Sequence, residues 1–317
     1  MYSYIFRVDA GDIAEIGTGH LYRCITIYDY LLQKGLKKEQ LKFVIKSKKN
    51  FSLGKKILNK RKINFISIDN KIKDFSKQEL NFLNTLKSKV IIFDRLSLIN
   101  RNFLNGLKPN HKRIIGIDIK KKSNLKLDLY INPLQNNLID KKKFQNYKNN
   151  ILPSFFHKDK NKNKINIGKK NLNFFTFFGG YDFKNINKKI KAISKIKSMN
   201  IKSGKIFFYL NLKKADIIIC SGGLTVFDAI YFNKIIIAIP QYNHQLINLK
   251  CLHNKKVCFL VKTDKGFEKN LNVCLEKILS LSLKEKILIH KMQKKIICQK
   301  SQIKLLNKIY EFSKSVF

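Results

Sequence analysis

The chain has 317 residues, 44% of them hydrophobic, and a formal net charge of +44. That length suits two domains of roughly 150 residues. No run approaches the roughly 18 apolar residues of a membrane span, and "MYSYIFRVDA" lacks the form of a signal peptide, so a soluble, cytoplasmic chain is expected. The charge comes from 59 lysines and only 6 arginines spread among abundant Asn and Ile, which fits an A/T-rich coding bias better than a nucleic-acid site, where arginine's planar fork is favoured.

No specific nucleic acid is therefore expected as a partner. Attraction to anionic substrates, and peripheral contact with a membrane surface, follow from the charge alone.

From the N-terminus, "YSYIFRV" (2–8), "LKFVIK" (41–46), "INFISI" (63–68), "KVIIFD" (89–94), "RIIGID" (113–118) and "LDLYIN" (127–132) are short, β-branched or aromatic, and predict strands. The segment "HLYRCITIYDYLLQKG" (20–35) has apolar positions at helical spacing and a glycine stop at Gly35. Shorter helices are expected near 52–60, 76–86 and 98–107. Strands alternating with helices predict a parallel sheet covered on both faces. Residues 134–170 are polar, Lys/Asn-rich and weakly periodic, and predict an interdomain connection with a short strand at "ILPSFF". The alternation then resumes. Strands are expected at "NFFTFF" (173–178), "GKIFFYL" (204–210), "DIIICS" (216–221), "KIIIAIP" (234–240) and "VCFLVK" (257–262). Helices are expected at 184–197, 224–232, 244–253, 265–280, 283–298 and 300–315. The boundary is set at 1–150 and 151–317.

The six cysteines show no C-x-x-C pair and no metal-ligand spacing, so reduced, buried thiols are expected. All six arginines lie in the first 113 residues. Where lysine is available everywhere, a retained arginine hints at a need for its fork. Arg7 and Arg23 flank a glycine turn and Arg95 follows a strand-end aspartate; Arg61, Arg101 and Arg113 have no such setting.

Three glycine turns, "IGTGH" (16–20), "FGGYD" (178–182) and "SGGLT" (221–225), each follow a strand and precede a helix. Glycine lets the backbone turn sharply and approach a ligand, and the helix start offers free N–H groups to phosphate. Thr225 and Asp182 could equally be helix N-caps. There is no Walker P-loop, the first turn lacks the full G-x-G-x-x-G spacing, and no D-x-D occurs. His20 opens the first helix, where a charged imidazolium is disfavoured, which suits a general base; a plain helix-start residue is the equal alternative. Asp9, Asp94 and Asp118 end or follow strands. A capping role suits Asp118, and a place at a ligand suits Asp9 and Asp94. Asp228, one turn into the helix after "SGG", is placed to meet ribose hydroxyls or simply to sit in a favourable helix dipole. His244 and Gln245 follow the next strand in "PQYNHQ".

Together these blocks resemble the UDP-sugar hydrolases of pseudaminic acid biosynthesis, which cleave UDP-2,4-diacetamido-2,4,6-trideoxy-β-L-altrose. The likeness rests on "FRVDAGDIAEIGTGHLYRC", with its R-x-D and I-G-x-G-H-x-x-R, on "FFGGYDFKN", and on "CSGGLTVFDAIYFNKIIIAIPQYNHQ". The last block is shared with glycosyltransferases of the B fold, including the lipid II N-acetylglucosaminyltransferase. The resemblance implies an α/β chain of two Rossmann-like domains facing a cleft that holds a UDP-sugar, with a last helix packing back on the first domain. It implies metal-independent hydrolysis without a cofactor, with His20 activating water; the strand-end acids Asp9 and Asp94 are expected beside it in the catalytic set. Gly17, Gly19 and Arg23 would meet the diphosphate and sugar; Gly179, Gly180, Ser221, Gly222, Gly223 and Thr225 would hold UDP; Asp228, His244 and Gln245 would complete the nucleotide site. This sequence departs from the family in having Asp228 where Glu is usual, Leu96 in place of a tyrosine, His244–Gln245 in place of Asn–Gln, and only 41 residues between Gly180 and Gly222, which implies a shortened second domain. A B-fold glycosyltransferase, and a binding protein that has lost turnover, are the rival expectations.

Overall fold

The structure is a computed structural model and describes residues 1–11, 16–121, 125–131, 172–179, 182, 184–196, 201–203, 208–297 and 299–314. The chain forms two compact units. The first holds strands β1 (Tyr2–Val8), β2 (Leu41–Lys46), β3 (Phe65–Ile68), β4 (Ser88–Asp94), β5 (Leu98–Ile99), β6 (His111–Ile117), β7 (Lys120–Lys121) and β8 (Leu129–Ile131). Its helices are α1 (Gly19–Gln33), α2 (Ser52–Lys60), α3 (Lys77–Asn84) and α4 (Arg101–Leu107). Six of the strands form one parallel sheet in the order β3-β2-β1-β4-β6-β8, and β5 pairs with β7 beside it.

Strand β1 is buried on both faces from Tyr4 onward, as a central parallel strand requires. Alternation splits its side chains. Ile5 joins Val44, Ile91, Phe93, Leu83, Phe103 and Leu107 on the side of α3 and α4. Phe6 stacks on Phe43 at 4.7 Å, and Tyr28 of α1 meets Phe43 edge-on on the other side.

The second unit holds β9 (Phe174–Phe177), α5 (Ile186–Ile196), β10 (Ile201–Ser203), α6 (Phe208–Lys214), β11 (Ile217–Cys220), α7 (Leu224–Tyr231), β12 (Ile235–Ala238), α8 (Asn243–Asn254), β13 (Phe259–Leu260), α9 (Phe267–Leu279) and α10 (Leu283–Ile296). Its described strands form a parallel sheet of five in the order β10-β9-β11-β12-β13, one strand fewer than the first. The final helix, α11 (Gln299–Lys314), belongs to the first unit: Tyr4 Oη donates to the Ile309 carbonyl at 2.6 Å, Lys89 Nζ to that of Ser313, and Tyr30 Oη to Asn307.

One expected strand is overturned. Residues 208–210 lie in α6, because Phe208, Leu212 and Ala215 recur at helical spacing. Phe208 packs on Phe177 at 4.4 Å, and Leu212 and Ala215 are buried. The strand of this stretch comes earlier, at Ile201–Ser203. The expected strand at "ILPSFF" lies outside the described residues. Among the described residues no helix is long and apolar enough to cross a membrane.

Candidate functional site

In an open parallel sheet, ligands bind beyond the carboxyl ends of the strands where the strand order reverses. In the first unit that point lies between β1 and β4, since the chain runs outward from β1 through β2 and β3 and from β4 through β6 and β8. Val8 and Asp94 are register partners there.

Two ionic clusters occupy this edge. In the first, Asp94 is fully buried and is met by His20 and Arg23. His20 Nδ1 lies 2.6 Å from Asp94 Oδ1. Arg23 donates from Nε to Oδ2 at 2.9 Å and from Nη2 to Oδ1 at 2.6 Å. Arg23 Nη2 also donates to Asp118 Oδ2 at 3.1 Å and lies 2.8 Å from His20 Nδ1. A guanidinium only donates, so Nδ1 either carries a proton toward Asp94 or accepts one from Arg23. The shorter contact and the anionic acceptor assign the proton to Nδ1. The lone pair of Nε2 is then left for chemistry. Burial pushes the Asp94 carboxyl up, but the charge of Arg23 and the hydrogen bonds from Arg23 and His20 outweigh it and hold it below the usual carboxylate range.

The helix that presents His20 starts from Thr18 without a side-chain cap, and Gly17 holds φ +47°. Gly11 N–H closes the loop onto the Gly17 carbonyl at 3.2 Å. A left-handed residue at the turn is where glycine is least costly.

Asp9 belongs to the second cluster. Arg7, fully buried, donates from Nη1 to Asp9 Oδ1 at 2.7 Å and from Nε to Glu79 Oε1 at 2.6 Å. Asp9 Oδ1 also accepts from the Lys46 amide at 2.7 Å. Arg95 grips Glu79 through both terminal nitrogens and lies over the Phe75 ring at 4.6 Å. Asp74 joins through Lys46, Arg95 and Ser97. Burial raises the Asp9 carboxyl, and Arg7 overrides it and holds it low. The structure thus joins Asp94 to His20 and sets Asp9 instead in a framework of ion pairs. Arg23, expected at the substrate, is 1% exposed and spends its described hydrogen bonds on Asp94 and Asp118. Glu79 and Asp118 were not singled out by sequence as partners of these arginines.

In the second unit the order reverses between β9 and β11. Gly179 after β9 has φ +82°. After β11 come Ser221, Gly222 and Gly223; Gly223 caps α7 with no side-chain bond, so the turn offers backbone N–H groups. Gly222 is required for packing: a Cβ there would lie 2.8 Å from Gln245 Cβ and 3.0 Å from Leu249. Gln245 Oε1 accepts from the Gln241 amide at 2.9 Å, and Gln241 Nε2 donates to the Phe178 carbonyl at 3.1 Å. Gln241 therefore braces the ends of β9 and β12, and Gln245 holds the Gln241 backbone in place. The Oε1 of Gln241, unremarked in the sequence, is buried and makes no hydrogen bond among the described residues.

Asp182 caps α5 by accepting from the amides of Ile186 and Asn187. Thr225 is the second residue of α7 and Asp228 lies buried one turn further in. His244 is the second residue of α8; its side chain, like Gly180, lies outside the described residues. Among the described residues no group of three His, Cys, Asp or Glu is placed to hold a metal ion.

Residues 138–308 match the family model of the glycosyltransferase family 28 C-terminal domain. No curated protein matches the sequence. Solved structures share the fold along the whole chain. MurG of Acinetobacter baumannii is 13% identical at TM-score 0.56, covering 99% of this chain and 100% of that one. Arabidopsis thaliana UGT89C1 complexed with UDP is 11% identical at TM-score 0.62, with coverage of 99% and 100%. A glycosyltransferase from Rickettsia africae ESF-5 is 13% identical at TM-score 0.53, with full coverage of both chains. These are B-fold glycosyltransferases, and the likeness is one of fold.

Proposed function

The chain belongs to the glycosyltransferase family 28 C-terminal domain family, and from that premise we propose that it acts on a UDP-linked sugar at the anomeric carbon. The second unit holds the nucleotide, and His20 of the first activates the incoming oxygen. The observation that carries this reading is the 2.6 Å contact of His20 Nδ1 with a fully buried, charged Asp94. A histidine so held presents Nε2 as a base, and the buried carboxylate stabilises the imidazolium that forms.

The incoming hydroxyl gives its proton to His20 Nε2 as its oxygen bonds to the anomeric carbon. The bond from that carbon to the diphosphate oxygen breaks, and UDP leaves with the electron pair. A single displacement of this kind inverts the anomeric centre. The charge on the leaving diphosphate is met by the backbone N–H groups of Ser221–Thr225 and the start of α7, together with Gly179, and Gly180 is the further glycine proposed for UDP. Asp228 takes the ribose hydroxyls. Gln241 Oε1, unpaired among the described residues, supports a ligand that brings a donor, and His244 follows three residues on. Gly17 and Gly19 let the first turn approach the sugar. The described cysteines are free thiols, which fits a reducing, cytoplasmic setting.

Family membership favours glycosyl transfer to a hydroxyl acceptor. The second reading is hydrolysis of UDP-2,4-diacetamido-2,4,6-trideoxy-β-L-altrose. It is favoured by the R-x-D and I-G-x-G-H-x-x-R block around His20, and water then replaces the acceptor. The test is UDP release from a panel of UDP-sugars, without added metal, with and without acceptors. Release only with an acceptor supports transfer, and release without one supports hydrolysis. His20→Asn is expected to lower kcat by about 10²–10⁴-fold, the usual contribution of a general base, while UDP still binds. Full activity in His20→Asn, or no uridine nucleotide bound by the native chain, defeats the proposal.

A further inference from the structure

Gln241 carries one polar atom that the protein itself does not use. The residue is 4% exposed and follows β12 by three positions. Its backbone N–H donates to Gln245 Oε1 at 2.9 Å, and its Nε2 donates to the Phe178 carbonyl at 3.1 Å. Its Oε1 is buried and has no hydrogen bond among the described residues. A carbonyl partner demands a donor, so the amide cannot be turned round, and the unused atom is the acceptor. A buried acceptor without a donor is disfavoured and rare in native proteins.

Strand register places this acceptor. Phe177, Cys220 and Ala238 form one row across β9, β11 and β12. The Gln241 side chain runs from beyond β12 to the residue after β9, and so crosses the end of β11. There the Ser221–Gly223 turn leads into α7. A Cβ on Gly222 would stand 2.8 Å from Gln245 Cβ, so Gln245, which fixes the Gln241 backbone, packs directly against that turn. The unused acceptor therefore stands beside the main-chain groups proposed for the diphosphate.

We propose that Gln241 Oε1 accepts a hydrogen bond from the sugar of the bound nucleotide sugar, from a hydroxyl or an amide N–H. The assignment rests on the nucleotide reading of the second unit and extends it from UDP to the group that UDP carries. Diphosphate oxygens are acceptors at neutral pH and would oppose another acceptor. Ribose hydroxyls are proposed for Asp228, whose carboxylate accepts more strongly than an amide. A base edge sets donor beside acceptor and is matched by an amide with both ends open, whereas Nε2 here is committed to Phe178. A sugar hydroxyl asks only for an acceptor, and it lies a few bonds from the diphosphate. Gln241 is thus a specificity residue, favouring a sugar that carries a neutral donor at this point over one that lacks it.

The test is calorimetry of the full chain with UDP, UDP-glucose, UDP-galactose and UDP-N-acetylglucosamine. Gln241→Met keeps the length of the side chain and removes both polar atoms. Loss of the Phe178 contact falls on all ligands alike, so the readout is the difference between them. The tightest-bound nucleotide sugar is expected to weaken about tenfold more than UDP, the effect of one hydrogen bond. In the native chain the NMR resonance of the Gln241 side-chain carbonyl is expected to move when that nucleotide sugar is added and to stay when UDP is added. This second measurement decides alone should Gln241→Met fail to fold. Equal weakening of UDP and nucleotide sugar, or a carbonyl resonance that stays in place, overturns the sugar contact and leaves nucleotide binding standing. So does a native chain that binds UDP but none of the nucleotide sugars. Binding of no uridine nucleotide overturns the sugar contact and the nucleotide reading together.

Discussion

The two sheets reverse their strand order in the same way and use that edge in opposite ways. In the first unit the described part of this edge holds charged side chains paired with one another: His20 with Asp94, Arg23 with Asp94 and Asp118, Arg7 with Asp9 and Glu79. In the second it is made of main chain, the Gly179 turn and the Ser221–Gly223 turn, with Gln241 and Gln245 holding the backbone in place. Side chains can hold and move a proton; backbone amides can meet phosphate without a base or acid. The contrast fits the proposal of reactivity in one unit and nucleotide holding in the other, and each half can be attacked separately.

The largest stability effect is expected from Glu79→Ala. Glu79 is fully buried and accepts from Arg7, from Arg95 and from the Phe75 amide at 2.6 Å. Its removal leaves two buried cations without their shared partner, which costs about 3–5 kcal/mol. Hydrogen exchange is expected to rise across β1 and α3 and to stay unchanged in β11 and α7. Equal loosening of both units would break the contrast.

Acid is the next lever. His111 is fully buried, with Ser88 Oγ 2.8 Å from Nδ1 and the Leu83 carbonyl 3.1 Å from Nε2. Burial brings it down to about 4 from the ordinary 6.5. A histidine lowered on folding stabilises the native state fully above about pH 6.5, and that stability is lost as pH falls toward 4. The loss reaches about 3 kcal/mol at 1.36 kcal/mol per pH unit. Asp9, Asp74 and Asp94, each raised by burial but held low by neighbouring cations, add a further loss below about pH 4. Urea midpoints measured from pH 7 to 4.5 should fall in the native chain and flatten in His111→Gln. A pH-independent midpoint would remove His111 from the account.

Much of this contrast was legible in the chain, and its limits have physical causes. Strands and helices emerged because apolar periodicity is local; α6 escaped because "FFYL" is as aromatic as a strand and its helical face shows only when Leu212 and Ala215 are included. Arginine was the clearest signal. Arg7, Arg23 and Arg95 are buried against carboxylates, whereas Arg61 and Arg113 sit 40% exposed in single pairs. The partners were hidden by distance along the chain, since Glu79 lies 72 residues from Arg7 and Asp118 95 from Arg23. Asp9 and Asp94 look alike as strand-end acids, and only the fold sends them to different clusters. Neutral amides such as Gln241 and Gln245 carry no charge or periodicity to betray a bracing role.

Gly222→Ala tests the backbone half. The new methyl group meets Gln245 and Leu249 at 2.8 and 3.0 Å, and overpacking of this kind costs about 1–3 kcal/mol. It should loosen α7 against α8 and weaken UDP binding together. Retained stability would mean that α8 yields easily and that Gln245 is not a rigid brace.

Gly223→Ala should be the quietest of these changes in the fold and the most informative about the ligand. At Gly223 φ is −86°, open to any residue, and a Cβ meets nothing within 4 Å. Stability should stay within about 0.5 kcal/mol of the native chain. Yet Gly223 is the cap residue of α7, where the diphosphate is proposed to dock. A methyl group there should lower UDP affinity by about tenfold, equivalent to ~1.4 kcal/mol, without altering the melting transition. Gly222 and Gly223 thus separate two needs for glycine that the sequence presents as one dipeptide: room for the protein at the first and room for a ligand at the second. Calorimetry of UDP binding to both variants decides it, and native affinity in Gly223→Ala would move the phosphate away from the start of α7.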